Sequence, residues 1–246
     1  MLNQQTLDKM IQLGLKGMVT SYENQIQQPN FRKLSFEERL NILIEAEYST
    51  RDTRKIERLL KSAKLRYSNA CLEEVIYKNQ RNFDQSQFME LGDCHWLINK
   101  QAVLITGATG VGKSWLACAL GNQACRKHLN TIYISSTALI EQIQLALEQN
   151  TMNKLRRSLV NAKLLIIDDF GIGQIPSHIG SSILEIIDQQ SMNGGLMITS
   201  QLPVEHWYDL FNNPTIADAI LDRIVHRAYR IELKGESMRK RNIKTK

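Results

Sequence analysis

Features that mark secreted or membrane-bound proteins are missing from this sequence. Its apolar runs, such as Leu164–Ile167, have the length of a β-strand and fall far short of a membrane span. The N-terminal segment MLNQQTLDKMIQLG lacks the basic stretch and following apolar run of a secretory signal. We therefore expect a cytoplasmic protein.

Cysteine is also scarce. The four cysteines form no C-x-x-C pair and show no zinc-like spacing with the five histidines. This pattern favours reduced thiols that serve as small hydrophobic side chains, with Cys118 and Cys125 on a predicted helix. With 43% hydrophobic and 23% charged residues in 246, the composition predicts one α/β domain and a small appendage.

The positive charge is concentrated in two segments. Residues 51–66 contain seven basic residues against two acidic ones, and residues 234–246 contain six against one, within a net charge of +6. Because the remainder is therefore net acidic, the distribution indicates a polyanionic partner.

The first 69 residues have helical patterns. Apolar residues recur at helical spacing between Leu7 and Met18, although two glycines interrupt them. Ser35 and Glu38 form a capping-box pattern that opens a second helix. A third helix, with Ile56 and Leu60 on its apolar side, has a basic outer face. We predict a helical N-terminal domain at 1–69 and a second domain at 70–246.

From Gln101 onward, short apolar runs alternate with helical stretches. Four of the five runs are almost continuously apolar, as expected for strands covered on both faces. The alternation predicts an α/β fold with a central five-stranded parallel sheet between helices. The predicted strands are Ala102–Thr106, Thr131–Ile134, Leu164–Ile167, Leu196–Thr199 and Arg230–Leu233.

The segment GATGVGKS after the first predicted strand satisfies G-x-x-x-x-G-K-[ST]. Glycines allow backbone N–H groups to surround a phosphate, and the following helix adds its positive N-terminus. Lys113 is expected to neutralise the β- and γ-phosphates of ATP, and the Ser114 hydroxyl to bind Mg²⁺. The predicted cofactor-binding residues are Gly107, Ala108, Thr109, Gly110, Val111, Gly112, Lys113 and Ser114.

The segment LLIIDDFG supplies acidic partners for this loop. Asp168, at the end of a buried strand, is predicted to hold Mg²⁺ through water, as a Walker B aspartate does. Asp169 would then orient or deprotonate the water that attacks the γ-phosphate. The two motifs together predict a magnesium-dependent ATPase.

These motifs, together with MITSQLP and the run PTIADAILDRIVHRAYRIELKGESMRKR, resemble IstB, the helper ATPase of insertion-sequence transposons. IstB belongs to the DnaC/DnaA-like initiator branch of the AAA+ ATPases. The resemblance implies an AAA+ domain, with too few residues after Leu233 for the helical lid of most AAA+ proteins. Asp169 stands where most AAA+ proteins have glutamate, which implies slow hydrolysis.

The resemblance also implies two further site residues. Gln201 occupies the sensor-1 position, where an asparagine is common, and Thr199 or Ser200 are the alternatives if the register differs. Arg223 matches the arginine that reaches the nucleotide of a neighbouring subunit in a homo-oligomer. On the residues alone, Arg223 would be assigned to a solvated or salt-bridged helix position. Arg239 would contact phosphates or belong to a basic tail for DNA.

Two basic surfaces are candidates for contact with duplex DNA, and neither shows aromatic interleaving or a base-reading motif. The helix at 51–66 is equally open to contact with an acidic protein, and in initiator-type proteins a helix between the second and third strands tracks DNA. The candidate DNA-binding residues are Arg51, Arg54, Lys55, Arg58, Lys61, Lys154, Arg156 and Arg157.

The favoured function is that of a transposition helper. With ATP it would oligomerise on duplex DNA, select a target and recruit or stimulate a transposase, and hydrolysis would disassemble the complex. The transposase partner comes entirely from the resemblance. The alternative is a DnaC-like replicative helicase loader. A small-molecule kinase or GTPase is disfavoured, because no N-K-x-D sequence follows the loop.

Overall fold

The computed structural model describes residues 2–77, 84–226 and 228–238. The chain forms two compact units, Met1–Arg58 and Leu59–Lys246. This division falls earlier than the boundary expected after residue 69, because Ala63 and Leu65 already belong to the core of the second unit. The assignment of functional domains on either side of residue 69 stays a prediction.

The first unit begins with two helices, α1 (Leu2–Gln12) and α2 (Lys16–Gln27). The prediction of one helix through Leu7 and Met18 is wrong, because Gly14 has a φ of +71° and ends the helical path between them. A 3₁₀ turn, Pro29–Lys33, leads to the next helix.

The helix α3 (Phe36–Ala63) is continuous over 28 residues. The second and third predicted helices are therefore one, since no glycine or proline interrupts this stretch. Its predicted start is confirmed. The Ser35 backbone N–H donates to Glu38 Oε2 at 2.7 Å, and the Glu38 N–H donates to Ser35 Oγ at 3.2 Å.

The second unit contains the predicted parallel sheet of five strands. Side chains alternate between two apolar layers: Val103 and Ile105 pack on one face, and Ala102 and Leu104 on the other. All five predicted strands are confirmed with small extensions. The strands are β1 (Ala102–Gly107), β2 (Thr131–Ser135), β3 (Leu164–Phe170), β4 (Gly195–Ser200) and β5 (Ala228–Leu233). Their order in the sheet is β2-β3-β4-β1-β5.

Helices cover both faces of the sheet. Cys118 and Cys125 are buried on the helix that follows β1, as predicted. Within the described ranges no α-helix follows β5, and no helix is long and apolar enough to cross a membrane. The helices are α4 (Gln85–Gly92), α5 (His95–Ile98), α6 (Lys113–Arg126), α7 (Ser136–Glu148), α8 (Met152–Val160), α9 (Ser177–Asn193) and α10 (Pro214–Val225).

Candidate nucleotide site

The loop between β1 and α6 has a backbone path that requires glycine. Gly107, Gly110 and Gly112 have φ angles of +142°, +84° and +100°. A Cβ at Gly107 would lie 2.3 Å from the Leu233 carbonyl oxygen, and one at Gly110 would lie 2.2 Å from Ser237 Oγ. The loop therefore combines left-handed backbone with close neighbours, which L-residues with side chains do not tolerate.

Lys113 begins α6 and turns back across the loop. Its Nζ atom donates hydrogen bonds to the carbonyl oxygens of Gly107 and Ala108 at 2.8 and 2.9 Å. The residue is buried, so the ammonium group lies inside the curve of the loop. Ser114, next on the helix, lines the same cavity. This geometry places a cation, a hydroxyl and a helix N-terminus together, which suits an anion.

Asp168 lies at the carboxyl end of β3 and is completely buried. Its carboxylate accepts hydrogen bonds from the hydroxyls of Thr199 and Tyr133. Burial, together with the hydrogen bond to Asp168, raises the pKa of Tyr133, so this hydroxyl stays protonated and remains a donor. Thus β2 and β4, the strands on either side of β3, hold the carboxylate in one orientation.

Asp169 adopts a φ of +56°, at the point where the pairing register of β3 and β4 shifts. Its backbone N–H donates to Thr199 Oγ1 at 3.0 Å. The side chain lines the cavity beside the loop, whereas that of Asp168 stays within the protein. A positive φ is uncommon for a residue with a side chain, and such strain clusters at functional sites.

Gln201 follows β4 and contacts the loop directly. Thr109 Oγ1 donates a hydrogen bond to Gln201 Oε1 at 2.7 Å. The two alternatives considered from sequence have other contacts: Thr199 joins the two aspartates, and Ser200 Oγ donates to the Phe170 carbonyl oxygen at 2.6 Å. Of the three, Gln201 is the residue that reaches the loop.

Arg66, the last basic residue of the segment 51–66, lies at the two aspartates. Its NH1 atom is 3.4 Å from Asp169 Oδ2 and 3.7 Å from Asp168 Oδ2. Sequence reasoning missed this position because Arg66 precedes the loop by many residues and belongs to no recognised motif. The nearby sequence RYSNA carries no signal that separates it from its basic neighbours.

Arg66, Lys113, Ser114, Asp169 and Gln201 line a cavity of about 550 Å³, which is within the usual size range of small-molecule sites. The loop forms one wall, and Tyr67, Ile76 and Trp115 add flat and apolar surface. Phe88 and Trp96 are buried in the core and do not line this cavity. The cavity offers cationic, hydroxyl and carboxylate groups beside an apolar wall, a donor set that fits a magnesium nucleotide.

The segment after β5 also contacts the loop. The Met238 backbone N–H donates to the Gly110 carbonyl oxygen at 2.8 Å, and Ser237 packs against Gly110. Arg239, a candidate for phosphate contact, lies outside the described residues. The described residues after β5 therefore pack on the loop at Gly110.

Arg223 lies away from this cavity. It shares a pocket with Ala102, the first residue of β1, whereas the loop follows the last residue of that strand. At the usual rise per residue, roughly 17 Å separates the two ends of β1. Arg223 pairs instead with Asp188, and its NH1 atom donates to the Ala219 carbonyl oxygen at 3.0 Å.

The candidate DNA-binding residues lie on two helical surfaces. On α3, Arg51 is paired with Glu47 at 2.6 Å, and Arg54, Lys55, Arg58 and Lys61 are exposed. On α8, which follows α7 between β2 and β3, Lys154 and Arg157 are exposed.

The remaining α8 candidate is held within the protein: Arg156 is half-buried and pairs with Glu185 of α9. None of the three α8 residues lines the nucleotide cavity.

The sheet order, the glycine loop and the adjacent acidic strand define a P-loop fold of the AAA+ class. The family model of the IstB-like ATP binding proteins matches residues 8–246. The chain belongs to this family.

Two bacterial relatives, provisionally named as insertion sequence ATP-binding proteins, match nearly the whole chain. The protein y4pL of Sinorhizobium fredii is 41% identical over 240 residues and covers 98% of each chain. The protein of insertion sequence IS21 from Pseudomonas aeruginosa is 27% identical, over 92% of this chain and 85% of its own.

Solved structures show the same fold at low sequence identity. DnaI superimposes with a TM-score of 0.57 at 18% identity, over 72% of this chain and 94% of its own. The DnaC helicase loader gives 0.54 at 19% identity, over 69% and 99%. A DnaA replication initiator bound to AMPPCP and single-stranded DNA gives 0.55 at 19% identity, over 68% and 50%.

Proposed function

We propose that this protein is an ATP-hydrolysing transposition helper that assembles on duplex DNA. The observation that carries the proposal is that Lys113, Ser114 and Asp169 line one cavity beside the glycine loop, with the buried Asp168 next to Asp169 on β3. Membership of the IstB-like family and relatives named for insertion sequences support the biological setting.

The nucleotide phosphates would lie within the loop at residues 107–114. Lys113 would exchange its contacts with the loop carbonyls for contacts with phosphate oxygens. Ser114 would hold Mg²⁺ with its hydroxyl, and Asp168 would hold it through water. Bound Mg²⁺ would neutralise charge on the β- and γ-phosphates. Because Thr199 and Tyr133 hold the Asp168 carboxylate, the protein provides this ligand already oriented.

Asp169 and Gln201 would act on the attacking water. Asp169 lines the cavity and would orient the water or accept its proton. The oxygen of the Gln201 amide accepts from Thr109, so its NH₂ group would face the γ-phosphate and water. Because the Asp169 side chain is one methylene shorter than glutamate, we expect slow turnover, which suits a timing switch.

Arg223 would act in trans. Its position at the opposite end of β1 prevents contact with the loop of its own chain. A guanidinium supplied by a neighbouring protomer would stabilise transition-state charge, so hydrolysis would require an assembled homo-oligomer. Assembly on DNA, target selection and recruitment of a transposase complete the proposed cycle, with hydrolysis releasing the complex.

The ATPase proposal is tested by Lys113→Ala and Asp169→Asn. Lys113→Ala should abolish nucleotide binding and ATP-dependent assembly, measured by titration with a fluorescent ATP analogue and by analytical ultracentrifugation. Asp169→Asn should bind ATP normally, hydrolyse it at least tenfold more slowly and accumulate assemblies. Wild-type turnover by Asp169→Asn would remove this residue from the mechanism.

The DNA proposal is tested by the salt dependence of binding. Replacing both Lys154 and Arg157 with alanine should weaken binding to duplexes of any sequence and reduce the slope of log K against log salt by about 2. Arg126→Ala is the matched control, since Arg126 is an exposed arginine that pairs with Glu73. An equal change in that control would count against a DNA surface on α8.

The alternative is a replicative helicase loader, which the fold likeness to DnaC and DnaI favours. The two functions share the nucleotide site and differ in the partner. Co-purification of the ATP-bound protein with a hexameric helicase rather than a transposase would select the loader.

A further inference from the structure

Arg66 is a second cationic side chain at the nucleotide cavity. Among the described residues that line it, Arg66 and Lys113 are the two basic ones. Lys113 is already placed for the β- and γ-phosphates by its position at the start of α6. Arg66 enters from the segment after α3, where its guanidinium carbon lies 5.7 Å from the centre of the Tyr67 ring.

Arg66 makes ion pairs that it could exchange for contacts with a bound phosphate. Its NH1 atom lies between one oxygen of each aspartate, at 3.4 Å from Asp169 and 3.7 Å from Asp168. Its side chain is 46% exposed and lines the open cavity. By contrast, both hydroxyl partners of Asp168 come from strands of the sheet. Arg66 can therefore leave both carboxylates while the hydrogen bonds from Tyr133 and Thr199 to Asp168 remain.

A magnesium ion held by Asp168 would repel the guanidinium at this position. The terminal phosphate of ATP would arrive in the same space, beside Asp169 and the loop. A guanidinium has a planar set of donors that matches phosphate oxygens, and its charge survives at any physiological pH. ADP lacks the phosphate that would lie nearest to Asp169.

We propose that Arg66 is a cis-acting phosphate-binding residue that exchanges its pairing with Asp168 and Asp169 for the terminal phosphate of ATP. This inference rests on the proposed nucleotide site and adds to it a residue that distinguishes ATP from ADP.

The test compares nucleotide affinities of the full chain without relying on hydrolysis. Fluorescent derivatives of ADP and of a non-hydrolysable ATP analogue are titrated with Mg²⁺ into wild type, Arg66→Ala and Arg66→Lys. The control is Arg126→Ala, an arginine of similar exposure at the far end of α6 that makes an ion pair with the exposed Glu73.

Arg66→Ala should weaken binding of the ATP analogue by about tenfold or more and change ADP binding by less than about threefold. Arg66→Lys should fall between wild type and Arg66→Ala, and Arg126→Ala should match wild type. The role of Arg66 would be overturned if Arg66→Ala lost the same affinity for both nucleotides. It would also be overturned if Arg66→Ala, with wild-type thermal unfolding, kept the wild-type ratio of the affinities for the ATP analogue and ADP. If wild type binds neither nucleotide, the proposed ATP site fails and the inference fails with it.

Discussion

The guanidinium of Arg223 on α10 forms an ion pair with the carboxylate of Asp188 on α9. This pair holds Arg223 at the amino-terminal end of the sheet, away from the loop of its own chain. An arginine that acts on a neighbouring nucleotide must leave this partner or share it. Arg223 therefore has two possible roles, a structural ion pair and a finger acting in trans. Variants of the two partners distinguish these roles.

Variants of the two partners should behave differently. Arg223→Ala should bind ATP normally but lose about a thousandfold in DNA-stimulated hydrolysis, because an arginine finger typically contributes at least that factor. Asp188→Asn removes the same ion pair and should keep hydrolysis within about threefold of wild type. Mixing Arg223→Ala with Lys113→Ala should restore some activity, since each supplies what the other lacks. Equal loss in Arg223→Ala and Asp188→Asn would indicate that the ion pair serves stability alone.

The contact of Thr109 with Gln201 gives a second prediction. Gln201→Ala should lower the rate of ATP hydrolysis by about a hundredfold and change nucleotide affinity by less than about threefold, because one amide donor near the transition state is lost. Thr109→Val removes the hydrogen bond to the amide but keeps Gln201, and should have the smaller effect on rate. Single-turnover hydrolysis measures both. If Thr109→Val lowered the rate of hydrolysis more than Gln201→Ala, the hydrogen bond would serve to maintain the structure of the loop.

Gly107 should be intolerant of any side chain. Gly107→Ala would place a Cβ 2.3 Å from the Leu233 carbonyl on the adjacent strand β5, at a φ of +142°. We expect a loss of about 3 kcal/mol in the free energy of unfolding, measured by denaturant titration. Gly173→Ala is the control, since Gly173 has a φ of +87° but no neighbour within 4 Å of its Cβ position. It should lose only about 1 kcal/mol.

Glu47 predicts a pH dependence in the first unit. Burial by itself would raise the pKa of Glu47, but hydrogen bonds from Arg51 and from the backbone of Met18 and Gly17 outweigh it, so the pKa is lowered. A lowered pKa in the folded state gives stability that is present above the ordinary value of 4.5 and is lost as pH falls through the folded value.

The matching variant is Glu47→Gln. At pH 7 it should reduce the free energy of unfolding of this unit by about 1–3 kcal/mol, because the backbone donors of α2 lose a charged acceptor. The difference from wild type should shrink as the pH is lowered below 4.5, where wild-type Glu47 becomes protonated. Amide hydrogen exchange in α2 measures this difference in the free energy of unfolding. If the difference between Glu47→Gln and wild type did not change with pH, the role of the charge would be contradicted.

The sequence by itself determined the parts whose signals are local. The glycine loop, the five strands and the Ser35–Glu38 cap each depend on residues that lie next to one another in the chain. A strand buried on both faces is continuously apolar wherever it lies in the sheet. Its residue range can therefore be predicted without knowing which strands lie beside it. These features also carried the family resemblance.

Only the tertiary structure decided the surroundings of Asp168. Tyr133, Thr199 and Arg66 come from β2, from β4 and from the segment before the sheet, and none of them is near Asp168 in sequence. Their contacts depend on which strands are neighbours, an order set by how the helices pack on both faces. Likewise, Arg66 looks like the other basic residues of 51–66 in the sequence, but the folded second unit places it at the aspartates, because electrostatic partners are set by distance in space.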